Sequence, residues 1–148
     1  MSTGHAIAIA ATFIWLGMVA AISFMEAPLK FRAPNVTLPM CLGIGRVVFR
    51  ALNRAELALA AVIVVAWLID RTPTGIPAGI TVSFLIAFAA LVAQLLVVRP
   101  RLNRRSDYVL SEPDLPHAQR SRGHYAYVGI EVVKVIALAT AGTLLLSG

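Results

Sequence analysis

With 148 residues, 59% of them apolar and only 14% charged, and a mean hydropathy of +0.82, the chain lies well outside the composition of soluble globular domains. Its formal net charge of +6 comes from eleven arginines and two lysines that flank apolar runs. Cations so placed act as topology signals rather than as a nucleic-acid surface, and a single cysteine, Cys41, excludes an internal disulfide or a multi-cysteine metal site.

Residues 6–25, 76–98 and 135–146 contain no charged side chain, and residues 57–69 are charge-free behind an arginine-studded stretch. A bilayer core takes about 20 residues of helix at about 1.5 Å each. The first predicted helix covers about residues 4–25. Its flanks do not fit a signal peptide, because residues 1–5 hold no lysine or arginine and the apolar run is too long. Pro28, Pro34 and Pro39 make residues 26–41 a stiff, non-helical connector. The second helix is expected over residues 43–69, amphipathic at first and then wholly apolar. Residues 70–75 (Asp-Arg-Thr-Pro-Thr-Gly) read as a tight turn, residues 76–98 as the third helix, residues 99–123 as a long polar loop and residues 124–146 as the fourth.

The expected fold is therefore all-α, one polytopic four-helix transmembrane domain over residues 1–148. Lys30, Arg32, Arg46, Arg50 and Arg54 lie on one side, together with Arg99, Arg101, Arg104, Arg105, Arg120 and Arg122 of the long loop. The other side has Arg71 alone, offset by Asp70. The bias of cations toward the cytoplasm then puts both connectors inside and both termini on the non-cytoplasmic side. Alanines in the first three helices (Ala8, Ala11, Ala60, Ala66 and Ala87 among them) suit close packing of spanning helices.

Glu26, Arg46, Arg50, Asn53, Glu56, His124, Glu131 and Lys134 all fall toward the same face of the membrane. On the fourth helix His124, Tyr127, Glu131 and Lys134 share an arc of roughly 80°, and Glu131 lies about 10 Å deeper than His124. Glu131 and Lys134 are three apart and able to pair. Glu56, Asn53, Arg46 and Arg50 share a broad face of the second helix, with Arg54 at its margin. Glu26 and Lys30 are four apart, and Gln94 is the polar residue at the matching depth of the third helix. Charges inside a membrane cost about 2.5–3.5 kcal/mol each on insertion scales, so they usually face the bundle interior and pair. One reading is an ion-pair layer that holds four helices in register, with arginines reaching to headgroups. The other is a polar chamber open to the cytoplasm that binds or relays a proton, a metal ion or a small amphipathic ligand. Glu26, Glu56, Glu131 and His124 would form an oxygen-rich metal set, while His5 lies on the far side and His117 in the loop. Nothing in the sequence names a cofactor.

Two families share motifs with this chain. Trp15-Leu16-Gly17 followed by Glu26-Ala27-Pro28-Leu29-Lys30-Phe31, then Gly45 and Phe49, resembles small four-helix bacterial membrane proteins of unknown function. Those are related to copper-resistance D-type membrane domains, and His124 matches a histidine near the start of a later helix. This resemblance implies the bacterial cytoplasmic (inner) membrane and an association with metal or redox chemistry. The chain has only three histidines and four methionines to offer copper. The second helix also resembles the membrane-associated eicosanoid and glutathione metabolism family in carrying Asn53 and Glu56 of an Arg-x-x-x-Asn-x-x-Glu pattern. Phe49 stands where the arginine is expected and Arg50 follows it. That resemblance implies glutathione held by Arg50, Asn53 and Glu56 between subunits of a trimer.

Three functions follow as expectations: a binding or relay site; an accessory subunit whose partners are the bilayer and a larger membrane complex or further copies of the chain; and a glutathione-dependent transferase. The chain has no Gly-x-Ser-x-Gly, no phosphate-cradling glycine loop and no dinucleotide fingerprint.

Overall fold

The computed structural model describes residues 2–70, 75–98, 100, 104 and 122–147. The chain is an all-α membrane protein with four helices long and apolar enough to cross a bilayer. We label them α1 (Thr3–Leu29), α2 (Leu38–Asp70), α3 (Ala78–Ala93, continued by Gln94–Val98) and α4 (Arg122–Ser147). The predicted turn at 71–74 and almost all of the predicted loop at 99–123 lie outside the described residues.

The helices keep the expected order and differ at their ends. Helix α1 does not stop at Met25. It widens into a π-helical turn at Ala21–Glu26, resumes as α-helix at Ala27–Leu29 and closes with a 3₁₀ turn at Lys30–Arg32. Pro28 sits in the first turn after the widened segment, a place where a missing N–H is tolerated. Likewise Pro39 opens α2, which begins at Leu38 rather than Gly43. The non-helical connector thus shrinks to residues 33–37, turned by Asn35 in the left-handed region at φ 63°. A second π-helical turn, Gln94–Val98, ends α3.

The bundle is inside out relative to a soluble protein. Leu68, Ile69, Leu85, Leu96 and Ile136 face outward, whereas Thr12, Asn53, Glu56, Gln94, Glu131 and Lys134 are buried. Such a surface suits lipid tails, and the polar groups are hidden in the interior of the bundle. The apolar interior is built from Trp15, Ile63, Phe84, Leu91 and Leu138, with Ala11, Ala60, Ala87, Ala137 and Ala141 between them. Edge-on aromatic pairs tie the helices: Trp67 with Phe84 at 4.9 Å and Trp15 with Phe88 at 6.0 Å between ring centres. The expected close approach of small residues is seen at Gly4, where a Cβ would fall 2.6 Å from the Ala66 carbonyl oxygen of α2.

Close packing is most extensive between α3 and α4 and between α1 and α2, then between α1 and α4. Helix α2 touches α3 slightly and makes less close backbone contact still with α4 among the described residues. Long side chains cross that space.

Candidate functional site: a buried carboxylate–lysine cluster

Each helix sends one or more polar side chains into the space between α2, α3 and α4. Lys134 of α4 is at the centre. Its Nζ donates to Glu56 Oε1 of α2 at 2.6 Å and to Gln94 Oε1 of α3, and lies 3.4 Å from Glu131 Oε2 one turn earlier on its own helix. Gln94 Nε2 donates in turn to Glu131 Oε1 at 2.7 Å. The Trp15 indole of α1 donates to Glu56 Oε1 at 2.9 Å. Glu56 and Lys134 side chains have no solvent exposure, and Glu131 has 1%.

The depth of the cluster follows from helix rise. From the end of the bundle where α1 and α3 start and α2 and α4 finish, Trp15, Glu56, Gln94 and Lys134 lie at about 18–24 Å. A hydrocarbon core is about 30 Å thick, so the cluster sits inside it and nearer the opposite face. By the same count Arg50 stands about 30 Å from Asp70, at the membrane surface. Arg50 is exposed there and Arg46 is half-buried, while Arg54, about 24 Å from Asp70, is exposed on the outer side of the helix. Helix α2, with 33 residues, is about 50 Å long and overhangs the core on this side.

Of the residues singled out in the sequence, Glu56, Glu131 and Lys134 meet directly. Asn53 is buried one turn before Glu56 on α2. Glu26 is held apart from them, 3.5 Å from Lys30 in a half-buried pair on α1. Lys30 Nζ also stands 5.2 Å from the centre of the Phe49 ring, and Phe49 packs edge-on against Tyr127 at 5.2 Å. Phe49 precedes Asn53 by one turn and Tyr127 precedes Glu131 by one turn. This aromatic pair therefore lies between the outer Glu26–Lys30 pair and the inner cluster. His124 lies in the first turn of α4 and its side chain is outside the described residues. Among the described residues no three His, Cys, Asp or Glu side chains converge as metal ligands.

Trp15 escaped sequence reasoning as a member of the cluster. A signal was present: a buried indole needs an acceptor for its N–H, and helix rise puts Trp15 level with Glu56. Gln94, visible in the sequence only as a polar residue of suitable depth, clamps Lys134 and Glu131 at once.

The chemistry of the cluster is set by its charge count. Two carboxyls and one ammonium, all ionised, carry one net negative charge in a medium that penalises it. One added proton makes the cluster neutral. Among the described residues Glu56 Oε2, Glu131 Oε2 and Asn53 Oδ1 are buried and accept no hydrogen bond. Each of the three is an oxygen that can take a further hydrogen bond. Comparison of the chain with models of protein families, with curated proteins and with solved structures finds no match.

Proposed function

We propose that this protein is a multi-pass component of the bacterial cytoplasmic membrane whose intramembrane cluster binds and relays a proton, with Glu56, Glu131 and Lys134 as the exchanging groups. The observation that carries this reading is the imbalance of a sealed site with two carboxyls, one ammonium and spare acceptor oxygens. A proton supplies the missing charge and gives one of those oxygens a hydrogen to donate. Metal binding draws less support, since Lys134 already fills the cationic position between the two glutamates. The glutathione reading also draws less, because Arg50 is exposed while Asn53 and Glu56 are buried. The cation bias of the connectors supports a site nearer the cytoplasmic face, with both termini outside.

A difference titration of detergent-solubilised protein tests the proposal. Wild type and a Lys134→Met/Glu56→Gln/Glu131→Gln variant, in which no charge is left in the cluster, are taken through the same pH steps, and proton release is read with an indicator dye. We expect wild type to exchange about one more proton per chain than the variant, the number that neutralises the cluster. Identical titrations from two folded proteins would remove the basis for a proton site.

A further inference from the structure

The cluster has more places for a proton than protons to bind, and its hydrogen bonds discriminate among them. We infer that the exchangeable proton resides on Glu56 Oε2, with Asn53 Oδ1 as the acceptor of the O–H it creates; this rests on reading the cluster as a proton site.

Lys134 Nζ has three hydrogens and three oxygen neighbours: Glu56 Oε1, Gln94 Oε1 and Glu131 Oε2. Gln94 accepts from Lys134 through its amide oxygen and gives one of its two amide hydrogens to Glu131 Oε1. The indole of Trp15 has one hydrogen, given to Glu56 Oε1. None of these donors gives a hydrogen bond to Glu56 Oε2 among the described residues. Three of the four carboxyl oxygens have a hydrogen-bond donor or the ammonium beside them. Glu56 Oε2 accepts no hydrogen bond among the described residues, the contact with Lys134 being made through Oε1.

Asn53 Oδ1 is the other buried acceptor on α2 without a donor among the described residues. It precedes Glu56 by three positions, the spacing at which side chains on one helix face meet. A proton on Glu56 Oε2 turns an acceptor into an O–H donor, so two unsatisfied oxygens become one hydrogen bond. The same proton on Glu131 Oε2 would give up the contact with Lys134 and leave both α2 oxygens as they were. Glu56 Oε1 keeps its bonds to Lys134 and Trp15 in either state, so the carboxyl is held in place while its other oxygen exchanges. Glu56 is then the proton carrier, and Lys134, Trp15 and Asn53 are positioning residues.

Infrared difference spectroscopy in lipid, through a pH titration, separates the two carboxyls by the C=O stretch of a protonated acid. We expect one such band in wild type, absent in Glu56→Gln, and retained in Glu131→Gln only at lower pH, because Glu56 and Lys134 alone already form a neutral pair. Because Trp15 donates to Glu56 Oε1 and not to Glu131, Trp15→Phe should move the band to higher frequency without removing it. Asn53→Leu should also shift it. Circular dichroism confirms that each variant is folded, and Trp15→Phe tests the assignment even where a glutamate variant does not fold. A band indifferent to Trp15→Phe, and lost in Glu131→Gln down to the lowest pH at which the protein is folded, overturns this inference but leaves the cluster a proton site. The absence of any protonated-acid band from folded wild type at every pH overturns both.

Discussion

At the end of the bundle that carries the N-terminal turn, helices are tied by small polar side chains at the rim. Ser2 caps α1 by accepting from the His5 amide and hydrogen-bonds Asp70 at the end of α2, while His5 Nε2 lies 2.9 Å from the Leu145 carbonyl oxygen of α4. Roughly two-thirds of the way to the other face, the same helices are tied by Lys134, Glu56, Gln94, Glu131 and Trp15, all sealed from solvent. Both regions join α1, α2 and α4. Among the described residues only the inner one also takes in α3, and only there does each bond involve a group that has lost its hydration. At the rim a broken contact is replaced by water. In the cluster it is not, so its members are coupled and the outcome of changing one depends on the others.

That contrast can be broken most sharply at Lys134. Replacing it with Met leaves two buried carboxyls facing one another without a cation, and truncating one partner of a buried ion pair costs about 3–5 kcal/mol. We expect a loss of that order in unfolding titrations in mixed micelles. Adding Glu56→Gln and Glu131→Gln should recover a large part of it, whereas strict additivity of the three changes would show that the cluster is not a unit. A smaller effect is expected at Gly4. Gly4→Val forces side-chain atoms onto the Ala66 carbonyl and should lower stability by about 1–3 kcal/mol as an overpacking change, while Gly17→Ala, with open space around it, should be near neutral.

Trp15→Phe should cost about 1.5–3 kcal/mol if Glu56 is ionised, the range for a hydrogen bond to a charged group, and about 1 kcal/mol if it is protonated. Its stability difference from wild type should therefore vary with pH, and a constant difference would argue that the charge on Glu56 never changes. The smallest effects belong to the rim. Asp70→Asn or Ser2→Ala should shift stability by no more than about 1 kcal/mol, the scale of a helix cap or an exposed contact.

The four spans were legible because charge-free runs of this length have one main use, and Glu56, Glu131 and Lys134 because helical spacing places them at one depth. The breadth of the cluster was less legible. Glu26 shares that side of the membrane with Glu56, yet it pairs locally with Lys30 four residues away. Charge type alone does not separate an inner carboxylate from an outer one. The connector was overdrawn because three prolines suggest a break, whereas two of them occupy first turns where proline is accommodated. Trp15 read as an apolar residue because its one polar atom matters only once a carboxylate is known to face it.

The two widened turns, Ala21–Glu26 and Gln94–Val98, each hold a residue more than a regular helix would place in that length. Removing a single residue from such a stretch lets it wind down to ordinary helix, whereas the same deletion within Ala78–Ala93 swings one end of α3 by about 100° relative to the other. Helices α1 and α3 thus each contain one short tract where chain length is adjustable, and in α3 that tract begins at the residue that grips Lys134.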